Sequence, residues 1–107
     1  MDLLKVSAAL ADPVRLAILD RLAAGRDRAC CSPPNPNVPQ GICACDVLPM
    51  MESMGQSRLA YHMKLLREAG LVEEQKRGRW VYYTLNQETL QAYLTGLNRR
   101  LGEERHP

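Results

Sequence analysis

No stretch of this 107-residue chain approaches the ~20 consecutive apolar residues that a membrane-spanning helix needs, which argues against a bilayer anchor. The N-terminus, Met1-Asp2-Leu3-Leu4-Lys5-Val6, has no basic region followed by a long apolar one, so no secretory leader is expected and a cytoplasmic location is. Phosphate-binding glycine loops, paired carboxylates and nucleophile-and-base patterns are all missing, and a Cys-His hydrolase would need more chain to build a cleft. Catalysis is therefore the class the sequence supports least. Net charge is scarce too, at +2. At this length one domain is expected, and its modest buried fraction makes a homodimer the default way to complete the core.

What is present is thiol chemistry. The four cysteines form a vicinal pair, Cys30-Cys31, and a Cys43-Ala44-Cys45-Asp46 element, with the eleven proline-rich residues 32–42 between them. In a reducing compartment a structural disulfide framework is not expected, so the pairs read as metal-binding or redox groups. Simple burial would explain one isolated cysteine, but it explains two clustered pairs poorly. The charge is also uneven. Residues 56–80 hold six basic side chains (Arg58, Lys64, Arg67, Lys76, Arg77, Arg79) against three acidic ones, a surplus larger than that of the whole chain. A local basic face of this kind suits a polyanion, although an ordinary solvated helix and turn would also carry it.

Periodicity divides the chain into a mainly α domain with a small β-hairpin. Leu3, Leu4, Val6 and Leu10 predict a short amphipathic helix over 3–10. Asp12 as N-cap and Pro13 at the first helical position predict a second helix to Ala24, with Val14, Ala17, Ile18 and Leu22 on one face and Gly25 ending it. Residues 25–42 form a loop, because Pro33, Pro34, Pro36 and Pro39 disfavour helix and central strand. A short helix from Cys45-Asp46 to before Gly55, a turn, and a longer basic helix from Gln56 to Ala69 give a helix-turn-helix over 45–70. Leu71 to Lys76 and Trp80 to Leu85, joined by Arg77-Gly78-Arg79, predict a hairpin with a basic tip within 71–85. Over 86–102, Asn86 caps a last helix whose Leu90, Tyr93, Leu94, Leu97 and Leu101 form an apolar stripe suited to a partner.

Three stretches carry a family resemblance: Leu10-Ala11-Asp12-Pro13-Val14-Arg15-Leu16-Ala17-Ile18-Leu19, Tyr61-His62-Met63-Lys64-Leu65-Leu66-Arg67-Glu68-Ala69-Gly70-Leu71-Val72, and Arg77-Gly78-Arg79-Trp80-Val81-Tyr82-Tyr83. In order and spacing the chain resembles the ArsR/SmtB family of dimeric, metal-responsive winged-helix repressors. The resemblance implies a winged helix-turn-helix, a twofold dimer, and a pseudo-palindromic double-stranded operator. It also places Cys43-Ala44-Cys45-Asp46 where the family's arsenic and cadmium sensors carry a Cys-x-Cys-Asp element. Those arsenic sensors often add a cysteine three positions later, where this chain has Leu48, so the resemblance implies a third donor from Cys30 or Cys31. The carboxylate and histidine site that other members carry on the last helix has no counterpart here.

Soft thiolates select thiophilic ions over magnesium, calcium or manganese. As(III) and Sb(III), with a lone pair, are satisfied by three thiolates, so Cys43, Cys45 and one of Cys30 and Cys31 suffice. Cd(II), Pb(II) or Zn(II) would draw on all four. As(III) or Sb(III) is the favoured effector, and a four-thiolate Cd(II) or Pb(II) sensor is the first alternative. The others are a redox switch pairing Cys30 or Cys31 with Cys43 or Cys45, and a zinc staple, for which the spacing is poor. In a regular helix Cys43 and Cys45 would point about 200° apart, so chelation requires extended backbone there. Asp46 suits the positive end of the helix better than ligation, and Met50, Met51 and Met54 suit packing.

For DNA, the helix starting at Gln56 offers Gln56, Ser57, Arg58, Tyr61 and His62 toward base edges, with Lys64 toward the backbone; local packing is the other reading of His62. Ala60 stands where the family usually has a serine. Arg77 and Arg79 at the wing tip are placed for phosphates or a minor groove, and Trp80 for anchoring the wing. His106 falls in a polar tail expected to be solvated.

Overall fold

Short polar side chains set the starts of the first two helices. In a computed structural model, which describes residues 1–26, 32–47, 49 and 55–102 (side chains from 57 in the last stretch), Asp2 accepts from the Lys5 amide at 3.1 Å and opens α1 (Leu3–Leu10). The Asp12 carboxylate accepts from the amides of Val14 at 2.8 Å and Arg15 at 3.1 Å, and Pro13 follows as the first residue of α2 (Pro13–Ala24). These bonds satisfy donors that the first turn leaves without intrahelical partners. Gly25, with positive φ, closes α2 as predicted.

The chain continues through β1 (Ile42–Cys43), α3 (Ala44–Val47), α4 (Gly55–Glu68), β2 (Val72–Arg77), β3 (Trp80–Leu85) and α5 (Gln87–Leu101). Apart from α3, boundaries agree with the periodicity to within a residue or two, as fraying ends allow; α3 ends at Val47, and most of the stretch up to Gly55 over which that helix was expected lies outside the described residues. Asn86 caps α5 through the Thr89 amide at 3.1 Å. The hairpin turn is only Gly78-Arg79, since Arg77 pairs directly with Trp80. Gly78 has φ +58°, and a Cβ there would meet nothing within 4 Å, so the demand for glycine is purely conformational.

One expectation needs correction. The sheet is three-stranded, in the order β1-β3-β2, because Ile42 and Cys43 pair antiparallel with Tyr83 and Tyr82. Ile42 therefore belongs to a strand and not to the loop. A two-residue strand carries too little alternation to be seen in sequence; its pairing exists only because β3 offers a second edge. Leu48, Met50, Met51 and Met54, with the packing read for those methionines, lie outside the described residues, as does His106.

The core gathers one face from each element. Val6 of α1, Ile18 of α2, Ile42 of β1, Leu66 of α4 and Leu71 before β2 are each wholly inaccessible to solvent. Burial of such a side chain contributes roughly 1.5–3 kcal/mol, so these layers outweigh any surface ion pair. Leu59, Met63 and Leu66, the apolar row read for α4, all face inward and fix that helix with its other side outward. α5 packs on α1 through Tyr93, whose hydroxyl lies 2.7 Å from Ser7 Oγ. Among the described residues no helix is long and apolar enough to cross a membrane.

The α2 cap makes folding sensitive to acid. The Arg15 amide holds the Asp12 carboxyl below its ordinary value of about 3.8, assisted by the Val14 amide and the Arg15 charge against a burial effect. A depressed folded-state pKa contributes stability that is present above the unfolded value and is lost as pH falls through the folded one. Asp12→Ala is expected to lower the Tm at pH 7 and to lose less stability than the parent on acidification below about pH 4. Thermal unfolding at both pH values checks this; an equal Tm difference at the two would show that the carboxylate's charge contributes nothing.

Candidate thiol site and nucleic-acid interface

Cys43 ends a strand and Cys45 is the second residue of the helix that follows. The extended backbone at Cys43 removes the helical divergence of the two side chains. Their Cα atoms lie 5.4 Å apart and the sulfurs are joined as a disulfide. That separation is ordinary for a disulfide. The Cys45 amide donates to Cys43 Sγ at 3.3 Å. Cys43, within the sheet, is 2% exposed, whereas Cys45 is exposed. Asp46 lies in the first turn of α3, and its carboxylate and both sulfurs fall within 4.8 Å of one another. Donors around one ion with bonds of ~2.3 Å span up to about 4.6 Å, slightly less than this spread, so once the disulfide is reduced the three groups would have to draw together to share an ion.

Cys30 and Cys31 lie outside the described residues, but the residues flanking their segment are tied together. The Arg26 guanidinium donates to Ser32 Oγ at 3.3 Å, to the Ser32 carbonyl, and to the Gly41 carbonyl at 3.5 Å. Both described ends of the segment thus meet two residues before Cys43.

On α4 the polar face is outward. Ser57, Arg58 and Lys64 are exposed and Tyr61 is 57% exposed, an unusual exposure for so large an aromatic residue. Ser57, Tyr61 and Lys64 recur at i, i+4 and i+7 and so share one face. Of Gln56 the structure describes only the backbone, within α4. His62 points the other way. It is 9% exposed, its Nδ1 lies 3.1 Å from Arg15 Nη1, and Tyr61 meets it edge-on at 5.5 Å. Arginine offers no acceptor, so in this contact Nδ1 accepts from the guanidinium. His62 thus takes its place in the packing between α2 and α4, and not on the outward face with Ser57 and Tyr61.

Arg15 is the residue that sequence reasoning missed. Its side chain is only 11% exposed, yet it donates to the Ala9 carbonyl at 2.8 Å and the Ala8 carbonyl at 3.2 Å, besides His62, and sits 3.9 Å from Asp12. A guanidinium so far withdrawn from solvent needs such partners, and together they bind the end of α1 to α4. Its only signal was its position three residues after the cap.

At the wing, Arg77 and Arg79 are exposed on either side of Gly78, and the Arg79 guanidinium lies 4.7 Å from the centre of the Trp80 ring. Trp80 therefore steadies a basic side chain at the tip. Arg67 of α4 meets Glu74 of β2 at 3.5 Å, joining helix and wing at the surface. Opposite Glu74 in the sheet, Tyr83 has its pKa raised by burial first and by the Glu74 charge second.

A short helix, a longer helix with its polar side outward and a two-stranded basic extension define a winged-helix protein. No family model matches the chain. It is 40% identical over 53 residues to an arsenical resistance operon repressor of Bacillus subtilis, across 50% of each sequence. To an arsenical resistance operon repressor of Staphylococcus xylosus it is 35% identical over 89 residues, 83% of this chain and 70% of that one. An ArsR-like transcriptional regulator from Rhodococcus sp. RHA1 superposes with a TM-score of 0.67 at 28% identity, over 92% of this chain and 77% of that one. The match thus spans about half the length of the Bacillus relative and more of the others. The chain belongs to the ArsR/SmtB family of transcriptional regulators. The relatives and structural neighbours are regulators and not enzymes.

The two basic elements should differ in what they read. Arg77→Ala and Arg79→Ala are expected to weaken binding to all duplexes alike and to reduce the salt slope by about 0.9 per lost phosphate contact. Ser57→Ala and Arg58→Ala should change the preferred sequence instead. Binding isotherms at several salt concentrations on selected and random duplexes distinguish the two; identical effects of both sets would remove the division.

Proposed function

We propose that the chain is a homodimeric DNA-binding repressor that leaves a pseudo-palindromic operator when As(III) or Sb(III) is held by its cysteine thiolates. The observation that carries this reading is the convergence of the Cys43 and Cys45 sulfurs with the Asp46 carboxylate at a strand-to-helix junction directly before the helix-turn-helix. In the reduced protein Cys43 and Cys45 supply two soft donors. A third comes from Cys30 or Cys31, whose segment has both ends beside Gly41. Three thiolates complete a pyramidal As(III) or Sb(III) site, and the names of the arsenical-resistance relatives support that choice. All four would serve Cd(II) or Pb(II).

Homodimerisation is supported by an apolar surface left uncovered. Leu4 of α1 and Leu94 and Leu101 of α5 are 76%, 49% and 70% exposed. A twofold axis would present two α4 helices, with Gln56, Ser57, Arg58, Tyr61 and Lys64, to half-sites about one helical turn apart. Effector and DNA then oppose each other by linkage, each weakening the other's binding.

One observation favours a second reading. The closeness of Cys43 and Cys45, joined as a disulfide, supports a thiol-based redox sensor, although with a different pair from the one expected in sequence, where Cys30 or Cys31 would join Cys43 or Cys45. A single titration separates the two. Reduced protein bound to a fluorescent duplex selected from a random pool is titrated with As(III), Sb(III), Cd(II), Pb(II), Zn(II) or peroxide while anisotropy is followed. Near-stoichiometric As(III) or Sb(III) should lower DNA affinity about 5–150-fold, the usual range of coupling, and Cys43→Ser or Cys45→Ser should abolish the response. Release by Cd(II) or Pb(II) alone would move the site to four thiolates, release by peroxide alone would select the redox sensor, and no release would sink both.

A further inference from the structure

The proline-rich segment 32–41 is folded onto the wing, and one strand residue is met from both of its ends. Tyr82 of β3 is 1% exposed and its hydroxyl donates to the Pro33 carbonyl. From the opposite end of the segment Gly41 presses on the same side chain: a Cβ at Gly41 would lie 3.2 Å from Tyr82 Cβ and 2.9 Å from Val38 Cγ2. Directly across the sheet Tyr82 is in register with Cys43. Three residues thus converge on Tyr82: one near the start of the segment, one at its end, and a thiol donor.

The segment is ordered enough to transmit a displacement. Asn35, 1% exposed, folds it through the Asn37 amide, which donates to its side chain at 3.0 Å, and the Val38 amide, which donates to its carbonyl at 3.0 Å. The Asn35 amide group also reaches Gln75 of β2 at 3.4 Å, a second attachment to the wing. Beyond Tyr82 the strand runs through Val81 and Trp80 to Arg79.

We infer that Tyr82 is a positioning residue that couples the thiol site to the wing, so that holding an ion at Cys43 and Cys45 shifts the basic tip at Arg77 and Arg79. The inference rests on the proposed thiol site. It adds that the wing, as well as α4, registers the occupied state. The physical reason is that Cys43 cannot move within β1 without disturbing its pairing with Tyr82, and Tyr82 cannot move without disturbing Pro33 and Gly41. Close-packed contacts of this kind shift between discrete arrangements and do not deform smoothly.

Trp80 is the only tryptophan in the chain and stands on the wing, so it reports on the tip without DNA. Reduced protein is titrated with As(III) while near-UV absorbance of the thiolate–arsenic bonds and Trp80 emission are followed together, for the parent, Tyr82→Phe and Gln75→Ala. The parent should show an emission change that saturates with the absorbance. Tyr82→Phe should keep the absorbance titration and lose at least half of the emission change, and Gln75→Ala, on an exposed side chain, should reduce it without loss of folding. On DNA, the ratio of affinities without and with As(III) should shrink in Tyr82→Phe while affinity without As(III) is retained. A purely structural role would lower the Tm and both affinities and leave the ratio unchanged, which would overturn the inference. Full emission changes in both variants, or arsenic-bound absorbance in the parent with no emission change, would also overturn it while leaving the thiol site intact. Absence of arsenic-bound absorbance in the parent would remove the proposed effector and this coupling together.

Discussion

Strand β3 is hydrogen-bonded along both edges, and the remaining architecture depends on that double pairing. On one side it joins β2 to form the wing, and on the other it takes up Ile42 and Cys43. A two-residue strand has no stability of its own and is ordered by the edge it adds to. The edge therefore decides where Cys43 sits, in an extended backbone that lets its sulfur meet that of Cys45. Without β3, the Cys-x-Cys pair would be free to continue as helix, with its sulfurs on opposite sides.

A second constraint concerns α4. Its buried row is apolar, and burial there is worth far more than the exposed Arg67–Glu74 ion pair that joins it to the wing. Orientation of the outward face thus follows from packing, with Arg15 adding direction. A guanidinium at 11% exposure has to be satisfied on all sides, and it uses α1 carbonyls, the Asp12 cap and His62 to do so. Through that one side chain, the helix that carries the exposed Leu4 is connected to the helix that carries Ser57 and Tyr61. Any rearrangement of α1 in a dimer would be felt at α4 through these bonds.

The thiol site sits between these two constraints. Cys43 is buried within the sheet, and Cys45, the second residue of α3, is exposed. The proline-rich segment, which reads in sequence as an irregular connection, is instead clasped between Arg26 at its ends and Tyr82 beneath it. Its prolines exclude regular structure, and its single ordered shape comes from Asn35 and the closeness of Gly41.

The helices were legible in the sequence because their signals are local: Asp12-Pro13 and Asn86 at the caps, Gly25 and Gly70 at the ends, and the recurrence of Leu59, Met63 and Leu66. The hairpin was legible for the same reason, from two β-rich runs around Gly78. The four cysteines and the exposed positions Ser57, Arg58, Tyr61 and Lys64 could also be named from residue type and spacing alone. What the chain could not show locally was the third strand, the burial of His62 against Arg15, or the docking of residues 32–41 on Tyr82. Each of these joins residues far apart in sequence, Cys43 with Tyr82, Arg15 with His62, Pro33 with Tyr82, and no propensity or period encodes such a pairing. Sequence by itself determined the long helices, the hairpin and which side chains can bind a soft ion or a polyanion; tertiary structure alone decided the third strand and which of these groups meet, because that depends on the close packing of distant faces around one doubly paired strand.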